Sequence, residues 1–540
     1  MSAPTRNDEE AVNVDASRPM QNSEDSIRES QPFIDSQPKS GPFSQLTASF
    51  GRASAADEDF SRDLITKAYN RYHRIIFAHE YGDDYSEIDE SSTSATSQQG
   101  KAATNSRATV VVIERIDVQI ARPGEQLDVG VDESYTLSLG GRGEPGTAVI
   151  QAKTSFGALR AFETLSQLCR YHHPSRLVTI YGVPLTVDDA PRFHHRGLLI
   201  DTARHFLPVV EIERVLDAMS YAKLNVLHWH LVDAQSFPIE TPSFPRLWEG
   251  AFSQAERYTL RDAKHIVRYA AARGIVVIPE IDTPAHATSW GVGYPVLYPS
   301  PTCKEPLDVS NEFTFELIKG VLTAFQKSVL SEPSLTHALH RMNQQGMQPR
   351  DAVRYFSNRV RSIALELGWE KTIVWEESYQ GFAEDLNKTT TILQNWLNVD
   401  ILGSMARDNF QIIYSNVYGG WYLDSMDVDW NRVYSTDPTQ HLVVDGSVPE
   451  HLLEGGEVCM WGEKVDSSDF MPTIWPRAAA AAERLWSTKT YADAALASGE
   501  AEQRLHVFRC LLNRRGVEAA PVSNAVPRSN PENPGGCLDQ

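Results

Sequence analysis

Several short stretches of this chain pair carboxylates with histidines, an arginine or tryptophans. They are Asp201 with Arg204; His228, His230 and Asp233; Glu280, Asp282 and His286; Trp375, Glu376 and Glu377; Trp396; the run Trp421–Tyr422–Leu423–Asp424; and Trp461 with Glu463. Indole faces make flat apolar walls, and carboxylates and a guanidinium make directional hydrogen bonds. That combination suits a sugar ring, which has an apolar face and a polar rim. A single tryptophan of this kind can instead be core, the lesser expectation, and the set argues for the walls of one pocket, with Trp421–Tyr422 among them. His228 and His230 share a strand face and could suggest a metal. No third ligand is apparent, and His286 follows Asp282 in an Asp-Thr-Pro turn. A hydrogen-bonded histidine–carboxylate network is therefore expected in place of a metal site.

Most of these groups end a short apolar run, and most of the runs lead into a helix. The runs are 196–203, 226–233, 275–282, 372–378, 391–396, 411–416 and 457–463; helical periodicity fills 208–224, 259–273, 313–329, 352–367, 475–486 and 502–515. Near-continuous apolar strands alternating with helices predict a buried parallel sheet, and over roughly 300 residues the leading architecture is α/β, a (β/α)8 barrel. Active sites of such barrels form at the C-terminal ends of the strands, where these residues lie. A doubly wound sheet is the alternative, but no glycine-rich phosphate loop follows the first strand. Between Asp282 and Thr372 there is room for about two strand–helix units, yet only helices are legible there, so the fourth strand is expected to be missing.

Residues 1–57 are rich in Ser, Asp, Glu, Gln and Pro and are expected to be a disordered tail. Residues 58–190 read as a small α/β domain with a polar surface loop at 91–108, and 191–540 as the barrel. Among 540 residues, 50 Lys and Arg stand against 71 Asp and Glu, a formal charge of -21 that argues against nucleic acid or an anionic membrane as partner. No run of about 18 apolar residues predicts a membrane span. The N-terminus shows no charged-then-apolar signal peptide, so nothing in the chain as written is expected to export it. The cysteines Cys169, Cys303, Cys459, Cys510 and Cys537 include no CxxC pair and are too scattered for a disulfide scaffold or a zinc site.

The order of motifs carries a resemblance. The segments are Phe193-His-His-Arg-Gly-Leu-Leu-Ile-Asp-Thr-Ala-Arg-His-Phe-Leu-Pro208, Lys223-Leu-Asn-Val-Leu-His-Trp-His-Leu-Val-Asp233, Pro279-Glu-Ile-Asp-Thr-Pro-Ala-His286, Val374-Trp-Glu-Glu377, Trp421-Tyr-Leu-Asp424, Gly455-Gly-Glu-Val-Cys-Met-Trp-Gly-Glu463 and Trp475-Pro-Arg-Ala-Ala-Ala-Ala-Ala-Glu-Arg-Leu-Trp486. Together they resemble glycoside hydrolase family 20, the β-N-acetylhexosaminidases, and within it the eukaryotic lysosomal or secreted branch. The resemblance implies an N-terminal α/β domain, a (β/α)8 barrel, and release of terminal β-linked GlcNAc or GalNAc from glycans with retention of configuration. The substrate's own 2-acetamido oxygen would be the nucleophile, with no enzyme carboxylate in that role and no metal or organic cofactor. A lysosomal or extracellular location and a homodimer are also implied.

Residue by residue, the resemblance gives Arg204 the sugar's 3- and 4-hydroxyls, Glu463 the 4- and 6-hydroxyls, and Asp424 the 6-hydroxyl. Trp375, Trp396 and Trp461 would box the acetamido methyl and the sugar face, and Tyr422 would donate to the acetamido oxygen. Asp233, Asp282 and His286 would be the network that tunes the general acid. Ser425 stands where some members carry an arginine for anionic sugars, so neutral substrates are expected. Cys510 and Cys537 match a C-terminal disulfide of the branch. Asn387-Lys-Thr389 is a glycosylation sequon, which together with that disulfide suits an exported protein.

One family segment is absent. A strand ending His-x-Gly-Gly-Asp-Glu should supply the general acid and the Asp that orients the acetamide; here the chain reads Ser328-Val-Leu-Ser-Glu-Pro-Ser-Leu-Thr-His-Ala-Leu-His-Arg-Met-Asn343, and Gly-Gly-Asp-Glu occurs nowhere. The missing strand and the missing acid coincide, and Cys303 lacks its usual partner just beyond the same place. Glu332, Glu376 and Glu377 are not expected to stand in, because geometry must be right before pKa matters. Two readings follow: a hexosaminidase whose complete transcript encodes the segment, which is preferred, or a catalytically dead sugar-binding or dimer-forming paralogue.

Overall fold

The computed structural model of the chain describes residues 43–77, 112–141, 146–172, 177–325, 330–332, 349–424, 427–444, 446–447 and 449–523. The N-terminal domain is a sheet of β1 (Gln45–Phe50), β2 (Arg115–Ile120), β3 (Tyr135–Leu139), β4 (Thr147–Ala152) and β7 (Leu185–Asp189), in the order β1-β2-β4-β3-β7. A small hairpin of β5 (Arg170–His172) and β6 (Leu177–Thr179) lies beside it in sequence. β2 alternates polar and apolar, so Ile116, Val118 and Ile120 point into the core, which the helices Ala55–Phe77 and Ser155–Leu168 complete. Thr154 caps the second helix by accepting from Gly157 N at 3.3 Å.

The expected disordered tail is corrected over residues 43–57, while residues 1–42 lie outside the described residues. Residues 45–50 pair in parallel with β2, from Gln45↔Arg115 to Phe50↔Ile120, and the first helix starts at Ala55. Leu46, Ala48 and Phe50 alternate inward between polar residues, a pattern that the polar composition of the surrounding stretch concealed. The tract 91–108 lies outside the described residues.

Buried charges join the two domains. Glu133 accepts from Arg160 Nε at 2.7 Å and from Arg196 Nη2, on the barrel, at 2.6 Å. Lys223 and Trp486 of the barrel both reach Asp189, each at 2.8 Å. Burial opposes ionisation of Glu133, but its two arginines overcome that and hold the carboxyl below its ordinary range.

The barrel consists of β8 (His195–Asp201), β9 (Val226–Val232), β10 (Val276–Ile281), β11 (Leu330–Glu332), β12 (Thr372–Trp375), β13 (Thr391–Asn395), β14 (Gln411–Tyr414) and β15 (Leu453–Met460), closed in that order with β15 against β8. The fourth strand therefore exists, correcting the expectation that it is missing. β11 has only three residues, pairing Glu280↔Ser331 on one side and Leu330↔Thr372 to Glu332↔Val374 on the other. One apolar residue in three shows no periodicity, yet three residues suffice to close the ring of hydrogen bonds. The run expected as one strand over 372–378 ends at Trp375, where the helix Glu376–Phe382 begins.

Register explains how the barrel interior changes from apolar to polar. Val226, Ile278, Ile373, Ile392 and Ile413 pack as one lumen layer. Side chains two residues further along a strand point the same way, and there the chain carries His228, Glu280, Trp375, Gln394 and Ser415. The lumen thus turns polar toward the C-terminal mouth, which is where the candidate site lies.

Candidate active site

Arg204 follows β8 and is the hub of the mouth. Its Nη1 lies 3.1 Å from Asp201 Oδ2, its Nη2 2.7 Å from Asp233 Oδ2 and 3.7 Å from Glu463 Oε1, and the guanidinium sits 5.2 Å over the Trp461 ring. Asp201 also shapes the loops around Arg204. Its Oδ1 accepts from Ala203 N and Arg204 N, both at 3.0 Å, and its Oδ2 from Gly462 N at 3.0 Å, beside Glu463. Burial works against the Arg204 charge, but Asp201, Asp233, Glu463 and Asp282 outweigh it and raise the pKa.

Asp233 is held between two imidazoles. His230 Nε2 lies 2.9 Å from its Oδ2 and His286 Nδ1 3.2 Å from its Oδ1. Burial would raise the Asp233 pKa; hydrogen bonds from His230 and His286 and the charge of Arg204 lower it instead. The hydrogen bond to Asp233, against burial, lifts His286 to about 9. Asp282 is buried, its Oδ1 has no hydrogen-bond partner among the described residues, and burial pushes its pKa well up, so it is the neutral acid of the cluster. His230, Asp233 and Asp282 offer atoms within 4.8 Å of one another, as a cation site would. Arg204 already occupies Asp233, and Glu280 and Asp233 hold the two His230 nitrogens at 2.6 and 2.9 Å, so two of the three groups are engaged by the protein itself.

Trp375, Trp396, Trp461 and Tyr422 form an aromatic box against Leu199 and Cys459. Ring centroids are 6.1 Å apart for Trp375–Trp461, 6.0 Å for Trp396–Tyr422, which are stacked, and 6.2 Å for Tyr422–Trp461. Trp461 belongs to both the box and the charge cluster, so an apolar wall and a cationic hydrogen-bond donor meet at one point. Trp396 Nε1 donates to Glu377 at 2.9 Å. Glu376 is consumed by structure: it accepts from Asn395 Nδ2 at 2.6 Å and from the backbone N–H groups of Trp396, Leu397 and Asn398. Burial raises its pKa despite those donors.

The structure thus assembles Arg204, Asp233, Asp282, His286 and Glu463 around one centre and the four aromatic residues beside it. Asp424 is half-buried two residues beyond Tyr422, and Ser425 lies outside the described residues. Trp421 is a correction: it is fully buried and packs edge-on against Tyr414 at 5.2 Å, so it is core and not a pocket wall. The main chain supplies the reason. Tyr422 bridges to Cys459, and Trp421, its neighbour, turns to the opposite side. Sequence reasoning missed His195, Gln394 and Glu457. Glu457 accepts from Gln394 at 2.9 Å and faces His228 at 2.7 Å and His195 at 3.1 Å. The two histidines, opposing burial, hold Glu457 at about 2, and His228 rises to about 9 between Glu457 and Glu280.

A closed barrel whose mouth sets an ion-paired arginine beside an aromatic box has the walls and the hydrogen-bond donors of a carbohydrate site. The profile described as "Glycosyl hydrolase family 20, catalytic domain" matches residues 193–334 and 331–489, and one described as "beta-acetyl hexosaminidase like" matches 8–168. The chain is 44% identical over 497 residues to Beta-hexosaminidase 1 of Arabidopsis thaliana, covering 88% of each protein. It is 35% identical over 509 residues to Beta-hexosaminidase subunit beta of Felis catus, again covering 88% of each. A Flavobacterium johnsoniae chitobiase structure superposes with a TM-score of 0.68 at 25% identity, covering 88% of this chain and 70% of that one. The chain belongs to glycosyl hydrolase family 20 and is a glycoside hydrolase of the β-N-acetylhexosaminidase type. The two matches to the catalytic profile overlap at 331–334, and Gly-Gly-Asp-Glu occurs nowhere in the sequence. No helix among the described residues is long and apolar enough to cross a membrane.

Proposed function

We propose that the site takes the terminal non-reducing GlcNAc or GalNAc of a glycoconjugate or chitin oligomer, and that hydrolysis proceeds through the substrate's own acetamide with retention. The observation that carries this reading is Arg204, held by Asp201 and Asp233 behind and by Glu463 at 3.7 Å in front, against the ring of Trp461. Arg204 and Glu463 fix the hydroxyl edge of the sugar, with Asp424 at the 6-hydroxyl. Trp375, Trp396 and Trp461 enclose the acetamido methyl, and Tyr422 donates to the acetamido oxygen as charge develops on it, a contact that gains strength in the transition state. Asp233, Asp282 and His286 tune the acid. No metal or cofactor is needed.

Cleavage of natural alkyl glycosides needs a proton for the leaving oxygen, and we assign that step to the segment that a complete transcript would encode. Without it the reaction forfeits roughly 100- to 10,000-fold. The absence of Gly-Gly-Asp-Glu from the sequence carries a second reading, a paralogue that holds the sugar without cleaving it. Assay of the purified chain with a chromogenic N-acetylglucosaminide and a thiazoline inhibitor separates them. Turnover supports the enzyme, and binding without turnover supports the paralogue. Neither binding nor turnover overturns both.

A lysosomal or extracellular location, a homodimer, glycosylation at Asn387 and a Cys510–Cys537 disulfide belong to the same proposal. Asn387 is exposed in a turn of its own, accepting from Thr389 N at 3.0 Å, while Cys510 is buried and Cys537 lies outside the described residues.

A further inference from the structure

We propose that Glu280 is a positioning residue that locks the Trp375 indole and the His230 imidazole in one arrangement, and so joins the aromatic box to the Arg204 cluster. The inference rests on the sugar-site reading above and deepens it.

Glu280 is fully buried on β10. Its Oε1 accepts from Trp375 Nε1 at 2.9 Å; its Oε2 faces His230 Nδ1 at 2.6 Å and His228 Nε2 at 3.2 Å. From His230 the path continues through Nε2 to Asp233 at 2.9 Å and from Asp233 to Arg204 at 2.7 Å. One carboxylate thus ties a wall of the box to the guanidinium through consecutive hydrogen bonds that end in the Asp233–Arg204 ion pair. A buried carboxylate is tolerated only where donors saturate it. Here the donors come from two strands: β9, β10's neighbour, carries His230, and β12 carries Trp375. An anion is required because two N–H donors arrive at different oxygens. A glutamine amide accepts at one oxygen only and would present its own N–H to the other donor.

The consequence is mutual positioning. Trp375 rotates freely of the charge cluster only if its indole N–H lets go of Glu280, and His230 keeps its Asp233-facing nitrogen aimed only while its other nitrogen is held. Glu280 lies behind Trp375 and acts through it and through His230.

The test reads binding, which does not depend on the general acid. Wild type, Glu280→Gln, Trp375→Phe and the double variant are titrated with N-acetylglucosamine-thiazoline by calorimetry. Glu280→Gln is expected to weaken binding about tenfold or more, and the double variant to be little weaker than the worse single one, since both changes break the same link. Unchanged affinity in Glu280→Gln, or losses that multiply in the double variant, would overturn the proposal. If Glu280→Gln does not fold, the wild-type protein still decides. Its Trp375 indole N–H, located in the spectrum of 15N-tryptophan protein by its loss in Trp375→Phe, should exchange slowly with water. Fast exchange overturns the proposal. Failure of wild type to bind the thiazoline sinks the sugar-site reading instead, and the indole exchange then settles the role of Glu280 by itself.

Discussion

Arg204 Nη2 lies 2.7 Å from Asp233 Oδ2, joining the loop after β8 to the end of β9 with both side chains buried. The contact makes the guanidinium a fixed fork, so a sugar meeting it finds the donors already oriented.

Replacing that arginine should therefore be costly in two separable ways. Arg204→Ala leaves Asp201 and Asp233 buried without their cation, a loss of about 3–5 kcal/mol that thermal melting would register. Arg204→Lys keeps the charge and loses the fork; the melting temperature should fall less, and affinity for GlcNAc should drop about tenfold or more. An Arg204→Ala protein that melts with wild type would contradict the account of the cluster.

Stability should decline toward alkaline pH. His286 and His228 are each raised to about 9 in the fold, against roughly 6.5 when unfolded. The native state holds more protons between those values, so their contribution is complete below about 6.5 and lost as pH rises through 9. Asp282, kept protonated by burial, adds a fall of the same sign. Asp233 and Glu457, both depressed, act at the other end and lose their contribution on acidification below their ordinary carboxyl values. Melting temperatures are expected to be higher near about pH 5.5 than near about pH 8.5, with His286→Gln narrowing the gap. Equal melting temperatures at the two pH values would refute the charge assignments.

Tyr422→Phe should discriminate between ligands. The phenol is half-buried in the box, and desolvation pushes its pKa well up, so it is a neutral donor. Its contact with the acetamido oxygen strengthens as charge develops. Loss of the hydroxyl should weaken an oxazolinium mimic such as the thiazoline by about tenfold, and GlcNAc itself by less. Equal losses for both would argue that Tyr422 only shapes the pocket.

Restoring the acid should restore catalysis. Amplifying the source transcript across the codons for Lys319 to Arg354 is expected to yield a longer product encoding Gly-Gly-Asp-Glu. Protein made from it should cleave an alkyl β-N-acetylglucosaminide roughly 100- to 10,000-fold faster than the chain as written. A transcript matching these residues would leave the sugar-holding paralogue as the reading.

Seven of the barrel strands were legible because they are apolar runs of at least four residues ending in distinctive polar groups. β11, Leu330–Glu332, was not, since three residues with one apolar side chain carry no period. β1 was hidden by the polar tract around it, although Leu46, Ala48 and Phe50 alternate. Around the site, residues at strand ends were found, whereas His195 and Glu457 sit deeper in the lumen and Gln394 is level with Trp375 on the neighbouring strand. A strand buried on both faces shows no alternation, so lumen-facing positions emerge only once neighbouring registers are known. Trp421 and Tyr422 show the same limit, being adjacent in sequence and opposite in environment.

The measurement closest to the central claim is a calorimetric titration of the chain with N-acetylglucosamine-thiazoline, run beside Arg204→Lys. Saturable binding at one site, weakened about tenfold or more by the substitution, is the predicted result. Absence of binding by the folded wild-type protein, or equal affinity in both, would contradict the assignment of this barrel mouth as an N-acetylhexosamine site.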